Sequence, residues 1–364
     1  MKKLGFGTMR LPLLDPQDEK SIDQEQVNAM ADLFLSKGFT YVDTAYAYHE
    51  GASEVACRRA FTERYDRDKF LLADKMPSFL IQSEQDYDRF FAEQLERCGV
   101  SYFDYYLLHN LGTEYYARNE RFGGFEYMQK LKADGTAKHI GFSFHDQPEL
   151  LEEILTAHPE MEFVQLQINY ADWENENVQA RRCYEIACRH QKDVIVMEPV
   201  KGGGLANLPH DAELLLRSVH PDASPASWAI RYAASLPECI TVLSGMSNLS
   251  QVEDNLSYME EFQPLTAQER AVLEQATEII HRSIAVPCTA CRYCVEGCPE
   301  HINIPAYFAA YNNLKQYGGL NYNRSSVGYG KASACIACGQ CEEICPQHLP
   351  IIEELKHVAE SFET

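Results

Sequence analysis

The chain has 364 residues, 45% hydrophobic and 24% charged, which excludes a disordered chain, a collagen-like repeat and a disulfide-stapled miniprotein. Its 54 Asp and Glu outweigh 32 Lys and Arg for a net charge of −22. Such a surface repels phosphate backbones, so no nucleic-acid partner is expected.

The opening Met1-Lys2-Lys3-Leu4-Gly5 lacks the apolar core of a signal peptide, and no apolar run reaches the roughly 18–20 residues of a membrane helix. A cytoplasmic protein with no membrane partner is expected. Up to residue 260, short apolar runs alternate with amphipathic stretches. The runs are 3–7, 40–43, 70–75, 103–109, 139–143, 163–168, 194–197 and 240–244. Strands buried on both faces have this continuous apolar character. The helix-like stretches that follow them are 23–37, 51–64, 85–98, 122–134, 147–157, 175–190, 225–236 and 248–258. Asp23 three residues before Gln26, Asp146 three before Glu149, and Ser224 followed by Pro225 are helix-start signals. Eight strand–helix units give an α/β fold, a (β/α)8 TIM barrel. A doubly wound sheet would want G-x-G-x-x-G after an early strand, and Gly5-Phe6-Gly7 is too short for it.

In such a barrel the chemistry sits at the C-terminal ends of the strands. The second run leads into Asp43-Thr44-Ala45-Tyr46-Ala47-Tyr48, the third ends in Asp74-Lys75, and the fourth ends in Leu107-Leu108-His109. A phenol of pKa near 10 is a weak acid at neutral pH. A nearby ammonium lowers that value, and a carboxylate keeps the ammonium charged and placed. A His can hold a substrate oxygen toward the Tyr. Taken singly, Asp43 suits a helix cap, and Tyr48, Lys75 and His109 suit packing, solvation or a local hydrogen bond. Together they suit protonation of an oxygen that gains charge as a carbonyl accepts hydride.

Residues 261–286 read as a helical connector opened by a Thr266/Glu269 capping box and ended before Pro287. Residues 287–364 hold eight of the 13 cysteines. The other five, Cys57, Cys98, Cys183, Cys188 and Cys239, sit in apolar or helical surroundings and are expected to pack as small hydrophobes. The clustered eight form two like runs, Cys288-x2-Cys291-x2-Cys294-x3-Cys298-Pro299 and Cys335-x2-Cys338-x2-Cys341-x3-Cys345-Pro346. Two-residue spacers let three thiolates meet one cubane, and in two-cluster proteins the fourth thiolate serves the other cluster. Cys288, Cys291, Cys294 and Cys345 are thus expected on one [4Fe–4S] cluster, and Cys335, Cys338, Cys341 and Cys298 on the second. Zinc would not need the third x2 spacer or the trailing Cys-Pro, and disulfides conflict with the compartment. Residues 288–350 resemble bacterial two-cluster ferredoxins, which implies a small α+β iron–sulfur domain. The longer gap between the runs, 300–334, is expected to add a helix and a Tyr/Gly-rich loop.

Residues 1–260 resemble the aldo-keto reductase family. Leu4-Gly5-Phe6-Gly7-Thr8-Met9-Arg10-Leu11-Pro12 matches its first strand, Gly38-Phe39-Thr40-Tyr41-Val42-Asp43-Thr44-Ala45-x-x-Tyr48 its signature, and Lys75 and His109 complete its tetrad. With the tail, the chain resembles the branch of that family that carries 4Fe–4S domains. The resemblance implies NAD(P)H-dependent reduction of a small carbonyl substrate. Tyr48 would be the acid, Lys75 its modulator, Asp43 the ion partner and His109 the substrate orienter. It also implies cofactor contacts from Gly7, Thr8 and Met9 under the nicotinamide, and from Ser143 and Gln167 on the carboxamide. Met197 stands where many members stack an aromatic, and Phe144 where the family usually has Asn. Lys201 and Gly202, in Lys201-Gly202-Gly203-Gly204, suit a pyrophosphate or a plain flexible loop. Asn248, Gln251 and Asn255 follow the eighth strand; Asn255 matches an adenine contact, and Asn248 also suits a helix cap. The positions for the NADP 2′-phosphate, near Gly245 and Gln251, are not basic, so NAD stays as open as NADP. The loop 111–121 and Trp173 are candidate substrate walls.

A nicotinamide moves two electrons as hydride and a cluster moves one, so a relay between them wants a flavin-like intermediate. Three functions remain open at this point. One is a carbonyl reductase whose two clusters exchange electrons with a redox partner protein or only hold the tail. Another is a flavin-assisted oxidoreductase using ferredoxin-type electrons. The last is a carrier with a retired barrel, against which the four-residue set argues.

Overall fold

The apolar runs become eight parallel strands, β1 Leu4–Gly7, β2 Tyr41–Asp43, β3 Leu71–Met76, β4 Phe103–Leu111, β5 Ala137–Phe144, β6 Phe163–Gln167, β7 Asp193–Met197 and β8 Cys239–Ser244. They close into a barrel in sequence order, β1 pairing with β8. The structure is a computed structural model and describes residues 2–16, 18–176, 178–317, 322, 326 and 328–363. Every strand boundary lies within two residues of its expected place. The interior carries Tyr41, Ala73, Leu107, Phe163, Ile195 and Leu243, all buried. Gly141 leaves room for this packing: a Cβ there would stand 2.3 Å from the Phe163 carbonyl oxygen and 2.8 Å from its ring.

The helices follow with two additions. Asp23 caps Gln24–Ser36 by accepting the Gln26 N–H at 3.1 Å. Thr266 and Glu269 form the expected capping box on Ala267–Ser283. Asp146, expected to start the helix over 147–157, does not; that helix is Pro148–Ala157 with Gln147 at its cap. The Asp146 carboxylate instead accepts the N–H and hydroxyl of Thr113, at 2.8 and 3.0 Å. It thereby starts a helix, Thr113–Phe122, where the sequence suggested a loop. A second unforeseen helix is His210–Arg217.

The chain packs as two compact units. One comprises Met1–Asn169, Gln179–Pro199 and Ala226–Leu265; the other comprises Tyr170–Val178, Val200–Pro225 and Thr266–Thr364. The connector helix and the loops after β6 and β7 therefore pack with the cysteine-rich segment, a grouping the divisions at 260 and 286 do not show. In the second unit His281 Nε2 lies 2.8 Å from the Ala171 carbonyl, and His220 Nε2 lies 3.0 Å from Glu269 Oε1.

The tail repeats at the backbone level. The cysteine runs are 47 residues apart. Left-handed residues recur at the same offsets, Ala290, Arg292 and His301 in the first and Ala337, Gly339 and His348 in the second. One-turn helices Tyr293–Glu296 and Gln340–Glu343 follow the second cysteines, and longer helices begin at Ile304 and Ile351. Val286, Ile302, Tyr307, Phe308, Leu355 and Val358 form the buried core between the repeats. The helix expected in 300–334 is Ile304–Tyr317, and the Tyr/Gly-rich stretch after it lies largely outside the described residues. Among the described residues no helix is long and apolar enough to cross a membrane.

Gly141→Ala is expected to lower the unfolding free energy by about 1–3 kcal/mol, the cost of overpacking a filled site. Gly204→Ala, where the added methyl meets open space, should stay within about 0.5 kcal/mol of the parent. Urea unfolding of both variants measures the difference.

Candidate functional site

Asp43 closes β2, Lys75 stands next to last in β3, and His109 lies two residues from the end of β4. Parallel pairing sets these strand ends side by side on one rim. Lys75 is fully buried, and its ammonium donates to Asp43 Oδ1 at 2.5 Å and to the Thr44 carbonyl at 2.7 Å. The same nitrogen lies 4.8 Å from the Tyr48 ring centre. Tyr48 starts a tight turn, Tyr48–Gly51, in which His49 and Glu50 have φ of 52° and 50°. Left-handed backbone at non-glycine residues is costly, and hydrogen bonds of His49 offset it. The Leu11 N–H donates to His49 Nε2 at 3.1 Å, which leaves Nδ1–H to donate to the Glu19 carbonyl at 2.9 Å. Hydroxyls of Thr8, Ser53 and Thr44 join at 2.7 and 2.9 Å and tie the turn's following helix to the ends of β1 and β2.

Across the mouth, the Tyr48 and His109 rings stand edge to face with centres 6.1 Å apart, and Phe79 meets His109 at the same distance. Arg118 of the unforeseen helix donates to the Phe79 carbonyl at 2.6 Å. The structure thus brings Asp43, Tyr48, Lys75 and His109 together.

The electrostatics differ from the expectation of an acidified phenol. Tyr48 is pushed well above 10, first by burial and then by the carboxylates of Asp43, Glu198 and Asp74, while Arg10 pulls down. The Lys75 ammonium is instead spent on Asp43, whose carboxyl burial raises and Lys75 draws back. Asp74 is raised well above its usual range by burial and by Glu54 beside it. Burial, Lys75 and His145 hold His109 well below 6.5, so its imidazole is neutral, and its Nδ1 is buried without a partner among the described residues. Arg10, Phe79, His145 and Glu198 were not singled out in the sequence; each lies on or just after a turn at a strand end.

The expected cofactor contacts divide into three groups. Gly7 pairs with Asp43 across β1 and β2, and a Cβ on it would come 3.2 Å from the Ser244 carbonyl. Thr8 donates its hydroxyl to the Asp43 carbonyl at 3.0 Å, and Met9 follows half-buried. The Ser143 oxygen accepts the Asn110 N–H at 2.7 Å, which leaves its own O–H to donate. Gln167 and Met197 end β6 and β7 in register, and Met197 sulfur accepts from Gln165 Nε2 at 3.5 Å. Asn248, Gln251 and Asn255 serve their own helix. Asn248 caps it, Gln251 accepts the Ser247 N–H at 2.7 Å, and Asn255 is held by Ser244 and Tyr258. The Arg10 stem lies 3.4 Å from where a Gly245 Cβ would be, a cation supplied from the turn after β1 and not from the last helix. Lys201 and Gly202 are committed within the second unit. The Lys201 ammonium lies 2.5 and 2.6 Å from the two oxygens of Asp172 and 3.2 Å from Gln347 Oε1. A Gly202 Cβ would strike the Thr289 carbonyl oxygen at 2.0 Å. A buried ammonium already neutralised is a poor pyrophosphate ligand, which corrects the expectation for this loop.

In the tail, Cys288, Cys291, Cys294 and Cys345 line one cavity, and Cys298, Cys335, Cys338 and Cys341 line another. None of the cysteines is in a disulfide. Burial and the neighbouring Cys291 and Cys288 push the Cys294 thiol well above 9, and burial raises Cys341 to about 11. Such sets ionise together only around a cationic core, so the donors fit iron–sulfur groups. Four of the scattered cysteines are buried, as expected, and Cys188 is half-buried.

The sequence model of the Aldo/keto reductase family matches residues 3–278. The chain belongs to this family. A 4Fe-4S dicluster domain matches residues 287–349. The chain is 28% identical over 248 residues to an aldo-keto reductase of Mycolicibacterium vanbaalenii, covering 67% of this chain and 81% of that one. It is 32% identical over 156 residues to an aldo-keto reductase of Mycobacterium sp. (strain KMS), 42% of this chain and 49% of that one. The chain spans about half the length of the first curated relatives it matches. Among solved structures it is similar to aldo-keto reductase AKR11C1 from Bacillus halodurans in its holo form, with 25% identity, a TM-score of 0.59, and coverage of 75% of this chain and 91% of that chain. It also shares its fold with an aldo/keto reductase from Klebsiella pneumoniae in complex with NADP and acetate, with 19% identity, a TM-score of 0.60, and coverage of 75% and 90%.

A phenol raised above 10 keeps its proton throughout the neutral range. An ultraviolet difference titration of the parent against Tyr48→Phe should therefore show no phenolate from Tyr48 below pH 10. A phenolate with a midpoint near neutrality would contradict the geometry.

Proposed function

We propose that residues 1–260 of this chain reduce an aldehyde or ketone with NAD(P)H. In this reading, residues 261–286 connect them to a domain at 287–364 that holds two [4Fe–4S] clusters. The observation that carries the reading is the facing pair of Tyr48 and His109 over the buried Lys75–Asp43 bridge. A neutral imidazole can donate its N–H to the oxygen of a carbonyl substrate without bringing a charge of its own. The oxygen it holds lies toward a protonated phenol. As the carbonyl carbon takes hydride, its oxygen takes the Tyr48 proton and the product leaves as an alcohol. Lys75, at the ring, then steadies the phenolate until solvent restores the proton.

A bound nicotinamide supplies the hydride. Gly7, Thr8, Met9, Ser143, Gln167 and Met197 form the rim that would hold its ring, with the Ser143 hydroxyl free to donate to a carboxamide. Arg10 beside Gly245 gives a phosphate-bearing cofactor a cation, which keeps NADP in contention although Gly245 and Gln251 are not basic. The NADP in the Klebsiella pneumoniae structure supports the same choice.

The two cysteine sets would each hold one cluster, the fourth thiolate of each run crossing to the other cavity. Cys338 is exposed and Ile336, on the same cavity, is 60% exposed. That face suits electron exchange with a redox partner protein, since transfer needs close approach to a cluster edge.

Tyr48→Phe is expected to slow carbonyl reduction by about 10²–10⁴-fold, the usual worth of a general acid. Cofactor affinity, read by fluorescence titration, should stay near that of the parent. Unchanged turnover would remove Tyr48 from the reaction. For the tail, anaerobically purified parent should carry about eight irons and Cys291→Ser about half as many; an equal iron content in both would refute the ligand sets.

A further inference from the structure

Lys201, Asp172 and Gln347 are 7%, 2% and 4% exposed. Burying an ammonium this deeply requires a counter-charge, which Asp172 provides. The third partner is more informative. An ammonium has donors only, so the Gln347 atom 3.2 Å from it must be the amide oxygen. Lys201 thus fixes which way the amide faces. The Gln347 nitrogen is then directed away from Lys201, and it is buried with no partner among the described residues. Gln347 lines the cavity of Cys288, Cys291, Cys294 and Cys345. The backbone locks this arrangement. Lys201, Gly202 and Gly203 are all left-handed, with φ of 49°, 63° and 96°, and Gly202 presses on the Thr289 carbonyl so closely that no side chain fits.

We infer that the Gln347 amide donates a hydrogen bond to a sulfur of the first cluster, and that the Lys201–Asp172 pair is the positioning device that aims it. The inference rests on the reading that those four cysteines hold a [4Fe–4S] group. A donor to sulfur stabilises the more negative, reduced core more than the oxidised one, and so raises its potential. The Lys201 charge is cancelled by Asp172, so its contribution is orientation. The repeat supplies an internal control. At the same offset, two residues past the fourth cysteine of the first run, stands Glu300, on the cavity of Cys298, Cys335, Cys338 and Cys341. A glutamate side chain has no N–H, so it offers no such bond. The two sites are built unequal, the first easier to reduce than the second. An electron entering at the exposed Cys338 face runs downhill to the first cluster.

An anaerobic redox titration of the full-length protein, followed by electron paramagnetic resonance, tests this. The parent should show two midpoints. Gln347→Glu and Lys201→Met should each lower the higher one and leave the lower one in place. The expected size is about tenfold in the reduced-to-oxidised ratio at fixed poise, about 59 mV for one electron. Lys201→Met leaves Asp172 uncompensated; if it does not fold, Gln347→Glu carries the test. In the parent itself, glutamine labelled with ¹⁵N in its side chain should show hyperfine coupling to the reduced first cluster. Parent midpoints retained in a variant that keeps its full iron content, or no ¹⁵N coupling, would overturn the inference. A parent without iron would instead overturn the cluster reading beneath it.

Discussion

A fully buried ammonium governs the barrel mouth. Lys75 has no exposure to water, and an uncompensated buried charge would cost several kcal/mol. Asp43 must therefore end β2 where its carboxylate meets β3, and the Thr44 carbonyl must turn inward as well. Those two demands set the direction in which the chain leaves β2, and the turn that follows delivers Tyr48. The Thr8 N–H and hydroxyl both bond the Asp43 carbonyl, so the end of β1 is drawn to the same point. The rim residues are thus consequences of one ion pair and of the parallel register that carries it.

Burial first, and then the Asp43 carboxylate of the same pair, keep the phenol from being acidified. The Asp43 carboxylate beside Lys75 offsets the field of the ammonium at the resting phenol, and burial outweighs both. Three carboxylates, Asp43, Glu198 and Asp74, surround Tyr48 with the opposite sign. The resting site keeps the phenol protonated and the imidazole neutral, a combination that suits proton donation to a developing alkoxide. Charge that forms on the phenol during the reaction is what Lys75 is placed to meet, at 4.8 Å from the ring.

Much of this could be read in the chain. Strands buried on both faces leave continuous apolar runs, and all eight were found. Cysteine spacing sorted eight thiols into the two sets that line two cavities. What escaped was information carried between distant segments. The helix Thr113–Phe122 is polar and has Gly112 before it instead of a capping side chain; its cap, Asp146, comes from 33 residues away. Lys201 looked like a phosphate ligand because glycines follow it. Its partners lie 29 and 146 residues distant, and no local pattern marks them. The sign of the Tyr48 shift was missed for a related reason: Glu198 and Asp74 come from other strand ends, and burial, which dominates, has no sequence motif.

The loops after β6 and β7 bear on whether the tail carries electrons or only holds the chain together. Segments 170–178 and 200–225 pack with the tail as one unit. Their buried groups are satisfied there: Asp172 by Lys201, Lys201 by Gln347, and the Ala171 carbonyl by His281. A domain that only braced these loops would need apolar contacts and backbone bonds, and the helix Ala267–Ser283 already offers them. It would not need a glutamine on a cysteine cavity, nor a lysine to choose the face of its amide. The tether itself takes the amide oxygen, and that choice leaves the amide N–H groups facing away from Lys201. The Lys201–Gln347 contact therefore joins the two roles: the loop is held by the same hydrogen bond that orients a donor toward the thiolates.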